Sequence, residues 1–304
     1  MAQKVILDVD TGGDDGVALL LAGHHPALDL AAVTPVHGNA PLPVTLDNTL
    51  RVLEAGKLTH IPVYAGSHYP IVAPALETSA TQRATLPLPA PSMKQQAKGA
   101  VDFLIEYYLG ADGPDTIYMP LGPQTNLALA LRIEPVLAER IPRIVTMAGA
   151  YLEGNTTPSA EFNILADPEA ASIVFRSGIP ISMIGLEVTA SALVTAEDVD
   201  KVRKLNTLWA EAAALLMYRD VKWFRSHWGW KGGQIFDAVA VASVIDPDLV
   251  KTCRMHVEIE LRGEYTRGRT VADISGRHGH KKNVDVGLKA DRGRFLQILM
   301  EGLA

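Results

Sequence analysis

The chain has a single cysteine, Cys253, among its 304 residues. That excludes an internal disulfide and any zinc centre built on clustered cysteines; the residue itself reads as a small, buried or half-buried occupant of a strand. No apolar run approaches the roughly 20 residues that span a bilayer, and the opening "MAQKVILDVD" lacks the shape of a signal peptide. The sequence therefore reads as cytoplasmic, with no membrane partner. Positive charge is in short supply, since 28 Lys and Arg against 34 Asp and Glu leave a formal net charge of -6. This balance argues against nucleic acid as the main partner. No segment repeats at the roughly 20- to 50-residue period of solenoids, and no compositional break marks a linker. One domain over residues 1–304 is the economical reading.

What is present is an ordinary globular composition, 48% hydrophobic and 20% charged. Apolar runs of strand type alternate with helical patterns: "KVILDVD" then "DDGVALLLAGHH", "LDLAAVTPV" then "PVTLDNTLRVLEAG", "DTIYMPLG" then "TNLALALRIEP". The pattern returns in "RIVTMAG", "ADPEAASIVFRSG" and "IPISMIGLEV". Strands that are apolar on both faces and separated by helices predict an α/β fold with a mostly parallel sheet between two helical layers. Ligands of such sheets bind outside the carboxyl ends of the strands. Residues 67–92 carry neither period and read as a long surface loop or flap. From Val250 onward the pattern is of paired strands with a Gly-containing turn, then a strand and a final amphipathic helix.

One strand end stands out. In "ILDVDTGGDDGVALLLA" four aspartates, Asp8, Asp10, Asp14 and Asp15, crowd the junction between an apolar strand and an apolar helix. In a partly dry crevice they repel one another unless something positive sits among them. Three readings are open on these residues alone. Asp14 and Asp15 could be first-turn acids favoured by the helix dipole. The D-x-D-T run could be the nucleophile and acid pair of a haloacid-dehalogenase-like phosphatase, with Asp8 attacking phosphorus. Or the carboxylates could be oxygen ligands of a hard divalent cation.

Further along come Gly38-Asn39, "LGPQTNLALAL", "GNTTPSAEFNILADPEAA" and "FDAVAVASVIDPDL". With the first turn, these stretches make the sequence resemble the inosine-uridine-preferring nucleoside hydrolases along nearly its whole length. The resemblance implies a Rossmann-like α/β fold, hydrolysis of ribonucleosides to free base and ribose, a purine nucleosidase activity serving nucleoside salvage, and a homo-oligomer, dimer or tetramer. It implies a bound Ca²⁺ held by Asp10, Asp15, Asp237 and the backbone carbonyl of Leu121. Asp10 would also be the general base, taking a proton from a Ca-positioned water as an oxocarbenium-like ribosyl cation forms. Asp14 and Asn39 would face the 2′-hydroxyl, and Asn155, Glu161 and Asn163 the 3′- and 5′-hydroxyls.

The sequence departs from the family in places. Phe236 stands where one branch has a histidine that protonates the leaving base and another has a tryptophan that stacks on it. Phenylalanine can stack but cannot donate a proton. The stretch "YRDVKWFRSHWGWKGGQIF" offers Tyr218, Trp223, His227, Trp228 and Trp230 as base contacts, with His227 a further candidate acid. Thr11 replaces a usual proline, Gly16 a usual alanine, and residues 67–92 lack the family's H-G-x-D-G-L-G-like run. A catalytically impaired ribose- or nucleoside-binding protein is the alternative that Phe236 raises.

Overall fold

The computed structural model describes residues 2–72, 74–79 and 84–304. In chain order, β1 (Gln3–Val9), α1 (Gly13–His24), β2 (Leu28–Pro35) and α2 (Leu42–Ala55) come first. They are followed by α3 (Ala100–Leu109), β3 (Thr116–Pro120), α4 (Thr125–Ile133), α5 (Leu137–Arg140) and β4 (Ile144–Met147). Next are α6 (Phe162–Ala166), α7 (Pro168–Phe175), β5 (Ile181–Ile184), α8 (Leu186–Ala190) and β6 (Val194–Thr195). After α9 (Ala196–Arg203) come α10 (Leu208–Trp228), β7 (Gly232–Gly233) and α11 (Phe236–Ile245). The chain continues through β8 (Val250–Met255), β9 (Val257–Ile259), β10 (Thr270–Ala272), β11 (Val284–Ala290) and α12 (Arg292–Leu303).

Seven strands form the central sheet in the order β2-β1-β3-β4-β5-β11-β8. Every neighbouring pair is parallel except β11 with β8, which is antiparallel. β1 shows why the strands read as apolar throughout. Val5, Leu7 and Val9 enter the apolar cluster that includes α1, α10 and α11, while Ile6 enters the opposite one with α3, α4 and α7. A strand buried on both faces has no polar side to spare. The α/β architecture with a mostly parallel sheet is thus the one the alternation predicts.

The strand order also fixes where a ligand can enter. From β1 the chain goes out to β2, then returns to build the rest of the sheet on the other side through β3. The connections leaving β1 and β3 diverge to opposite sides and open a crevice at their carboxyl ends. Two helices, α1 and α11, are buried along most of their length and pack on each other behind that crevice. Helices that are apolar all round require such a central position. Both begin at the crevice, with Asp14 and Asp15 in the first turn of α1 and Asp237 in the first turn of α11.

One expectation changes. Cys253 does lie in a strand, but β8 is the sheet's edge, residues 251–254 all face solvent, and the thiol is exposed rather than buried. Within 67–92 the described residues carry no helix or strand, as the sequence suggests, and part of the segment, from Leu76 to Ser79 with Ala84 and Leu86, lines the crevice. Residues 73 and 80–83 of that stretch lie outside the described residues. Among the described residues no helix is long and apolar enough to cross a membrane.

Candidate active site

The four aspartates of the first turn separate into two environments. Asp8 is still in β1, paired in register with Thr34 of β2 and Pro120 of β3. Strand alternation turns its side chain away from Leu7 and Val9, toward α4. There its Oδ2 accepts hydrogen bonds from Thr34 Oγ1 (2.9 Å), Asn126 Nδ2 (2.9 Å) and the Tyr118 hydroxyl. Burial raises its pKa to about 7, partly countered by these three donors. Asp8 is about 1% exposed and does not line the cavity, so the phosphatase reading loses its nucleophile.

Beyond the strand end the remaining acids converge. Carboxylate oxygens of Asp14, Asp15 and Asp237 lie within 4.8 Å of one another. Asp10 is not part of that triplet but is close enough to Asp15 and Asp14 for their charges to raise its pKa. Burial, with these neighbouring charges second, holds Asp10, Asp14 and Asp237 well above the ordinary carboxylate range. Asp15 is raised only to about 6, because it accepts hydrogen bonds from the backbone amides of Asp10 (3.2 Å) and Gly12 (2.8 Å) against the burial. The positive ends of α1 and α11 help hold these charges, but no lysine or arginine forms an ion pair with any of the four among the described residues.

Asp10 is fixed by its surroundings. Its Oδ2 accepts from the Asn39 amide at 2.6 Å, and a Cβ on Gly38 would fall 2.1 Å from the same oxygen. Glycine before Asn39 is what allows this approach. Leu121 reaches the cavity wall because its amide donates to the Asp8 carbonyl (2.7 Å), continuing the β1–β3 pairing one step past the strand.

Asn163 Nδ2 donates to the Leu121 carbonyl (2.6 Å) and to the Met147 carbonyl (3.0 Å), tying the ends of β3 and β4 together. Glu161 caps α6, accepting from the amides of Asn163 (2.8 Å), Ile164 (3.1 Å) and, across the loop, Gly149 (2.9 Å). Burial nonetheless raises its pKa. Asn155 is exposed and accepts from the Phe162 amide at 3.0 Å, closing the 155–162 loop.

These residues line one cavity of about 1120 Å³. Asp10, Asp14, Asn39, Leu121, Glu161, Asn163 and Asp237 form its floor and near wall, with Asn155 at the rim and Asp15 buried beneath. Phe236, Trp223, Trp228 and Trp230 also line it. Phe224 links this wall, its ring centroid 5.2 Å from Trp230 and 6.1 Å from Phe236. Tyr218 and His227 are not among the lining residues. Tyr218 is about half exposed, and His227 stacks on the outer side chain of Trp223 at 4.7 Å with Nδ1 3.0 Å from the Trp223 carbonyl.

Three lining residues escape a sequence reading that attends to motifs and aromatics. Arg219 and Asp220 on α10 both face the cavity, each with a buried polar atom lacking a hydrogen-bond partner, Nη1 and Oδ2. The Asp220 carboxylate sits over the start of α1, where a Cβ on Gly13 would meet it at 2.8 Å. Burial lifts its pKa to about 7 although Arg219 pulls it down. Glu187, in the first turn of α8, accepts from the Leu152 amide (2.8 Å) through one oxygen and leaves the other unpartnered in the wall. The available signal was the spacing of Arg219, Asp220 and Trp223, which one helical turn brings to one side of α10.

Fold and cavity together describe an α/β protein whose crevice has an acidic floor and an aromatic wall. Residues 5–297 match the family described as inosine-uridine preferring nucleoside hydrolase, and the chain belongs to it. It is 39% identical to the pyrimidine-specific ribonucleoside hydrolase RihA of Enterobacter sp. (strain 638), over 100% of this chain and 98% of that protein. It is 37% identical to the pyrimidine-specific ribonucleoside hydrolase RihB of Escherichia coli (strain SE11), over 98% and 96%. Its fold superposes on a purine-preferring ribonucleoside hydrolase from Gardnerella vaginalis with a TM-score of 0.91 and 32% identity, covering 99% and 98%. The chain is accordingly an N-ribosyl hydrolase.

Proposed function

We propose that the chain hydrolyses ribonucleosides to ribose and free base around a calcium ion held by Asp10, Asp15, Asp237 and the Leu121 carbonyl. The observation that carries this reading is the meeting of uncompensated buried carboxylates from α1 and α11, segments more than 200 positions apart. Breaking even in such a cluster requires a cation or protons. The donors are all oxygen, carboxylate and carbonyl, which suits a hard cation of flexible geometry better than zinc. When bound, calcium would orient a water, lower its pKa modestly and grip the vicinal diol.

The rest falls to the protein. Asp10 takes the water's proton, its carboxylate already immobilised by the Asn39 amide. Asp14 accepts from the 2′-hydroxyl beside Asn39, and the loop held by Glu161, Asn163 and Asn155 presents partners for the 3′- and 5′-hydroxyls. Pairing each hydroxyl rejects sugars that lack one. The acidic floor favours the positive charge that gathers on the ribosyl ring as the glycosidic bond breaks. Phe236, Trp223 and Trp230 give the base an apolar face to lie against.

A panel of purine and pyrimidine ribonucleosides, assayed for free base and reducing sugar, tests this reading. Turnover is expected, with loss after prolonged chelation and recovery on adding calcium. A calcium-loaded protein that releases base from no ribonucleoside refutes it. Tight binding without turnover would instead make the chain a nucleoside-binding protein.

A further inference from the structure

We propose that Thr125, which does not line the cavity, is a positioning residue for hydrolysis: its buried hydroxyl sets the loop that holds the general base Asp10. This rests on the nucleoside-hydrolysis reading and extends it to residues behind the site. His37, Thr125, Asn126 and Asp167 are each at most 3% exposed, and none of them is among the lining residues. They come from separate segments. His37 lies just past β2, Thr125 and Asn126 open α4, and Asp167 is the N-cap of α7.

The Thr125 hydroxyl donates to Asp167 Oδ2 (2.7 Å) and lies 3.0 Å from His37 Nε2. With its single proton committed to the carboxylate, it accepts from the imidazole, so Nε2 carries the hydrogen. Burial lowers the His37 pKa to about 4, so the ring is neutral at pH 7 and this is its only N–H. The direction of each bond from His37 through Thr125 to Asp167 is thereby fixed. Asp167 anchors the far end, accepting also from the backbone amides of Ala170 (3.0 Å) and Ile71 (2.9 Å). Burial raises its pKa, and these three donors hold it down. The His37 amide donates to the Ser67 carbonyl (3.1 Å), while the Ser67 amide donates to Asn126 Oδ1 (2.8 Å). The first turn of α4 thus holds His37 twice, through Thr125 directly and through Asn126 by way of Ser67.

Two residues on from His37, the Asn39 backbone amide donates to Asp10 Oδ2 at 2.6 Å, and the Cβ position of Gly38 lies 2.1 Å from the same oxygen. The loop has no slack there, so a displacement at His37 passes to the carboxylate. A shift of about 1 Å in reacting geometry can cost about 100-fold in rate. An apolar trio of the same shape would pack about as well as this buried chain. What the polar chain adds is direction.

The test is a double-substitution cycle read in kcat, with uridine and inosine as substrates of the calcium-loaded protein. Thr125→Val keeps the shape and removes the hydroxyl, and kcat per folded molecule is expected to fall about 10- to 100-fold. In an Asp10→Asn background the same change should cost less than about threefold, because the group it positions is gone. Thr125→Ser keeps the hydroxyl and should hold kcat near the wild-type value. His37→Gln, whose side-chain amide can still donate to Thr125, should lose less than His37→Leu, and this pair carries the same cycle should Thr125→Val not fold. A lowered thermal midpoint with unchanged kcat means that the network is structural only and overturns the proposal, as does an equal loss in both backgrounds. Wild-type protein inert toward both nucleosides defeats the nucleosidase reading itself, and the Thr125 role falls with it.

Discussion

Asp8 and Asp10 stand two positions apart, each about 1% exposed, yet the protein deals with their charges in different ways. Asp8 meets three neutral donors, from Thr34, Tyr118 and Asn126, contributed by two strands and a helix. Asp10 has backbone amide support from Asn39 and faces three further carboxylates. A buried acid surrounded by its own donors is part of the frame. A buried acid surrounded by other acids needs protons or a cation to offset their repulsion, which is why we propose an ion there. The contrast is one of surroundings: Asp8 lies among hydroxyl and amide donors, Asp10 among carboxylates.

Substitution at Asp10 should break the comparison most visibly. Asp10→Asn keeps the shape and removes the base, so kcat is expected to fall about 10²- to 10⁴-fold with the circular dichroism spectrum and thermal midpoint near those of wild type. Near-normal turnover would remove Asp10 from the mechanism. The matching change at Asp8 should act on stability instead. Asp8→Ala strands the Tyr118, Asn126 and Thr34 donors and is expected to cost about 3 kcal/mol or more, read from urea unfolding at constant m-value. A loss below about 1 kcal/mol would show that Asp8 is no keystone.

The acid cluster itself should make the cation-free protein sensitive to pH. Burial raises Asp15 to about 6 and Asp220 to about 7 from an ordinary value of 3.8. The folded state therefore holds these protons more tightly than the unfolded chain. The stability they contribute is complete below about pH 4 and is lost as pH rises through about 6 to 7. Chelated protein should melt at a lower temperature at pH 8 than at pH 5, and calcium should restore more at pH 8. At a concentration about 100 times its dissociation constant, the ion should contribute about 2.7 kcal/mol. A calcium shift equal at both pH values would mean that the ion binds elsewhere. The smallest effect belongs to Tyr118→Phe, which removes one of three donors to Asp8. About 1 kcal/mol of stability should go with kcat within twofold, and a large kcat loss would place Asp8 inside the chemistry after all.

Much of this was legible beforehand. The alternation of strands and helices, the first turn, the "EFNILADPEAA" loop and the Asp237 turn all carry local signals, and each corresponds to an element or a cavity wall. The parity that separates Asp8 from its neighbours was also available, since a strand turns alternate residues to opposite faces, although charge density alone groups the four aspartates together. The exposure of Cys253 was not legible, because it depends on β11 pairing between β5 and β8 and leaving β8 at the edge. Nor were Arg219, Asp220 and Glu187, whose importance comes from the cavity they face.

The sequence by itself determined the elements, the family and the crowding of acids at one strand end, because hydrophobic period and motif spacing act over a few residues. Only the tertiary structure decided which acid is held by neutral donors and which lies among other acids, and which arginine lines the cavity. Those outcomes depend on distances between residues up to hundreds of positions apart, set when two buried helices start at the same crevice and a third, α10, lines it.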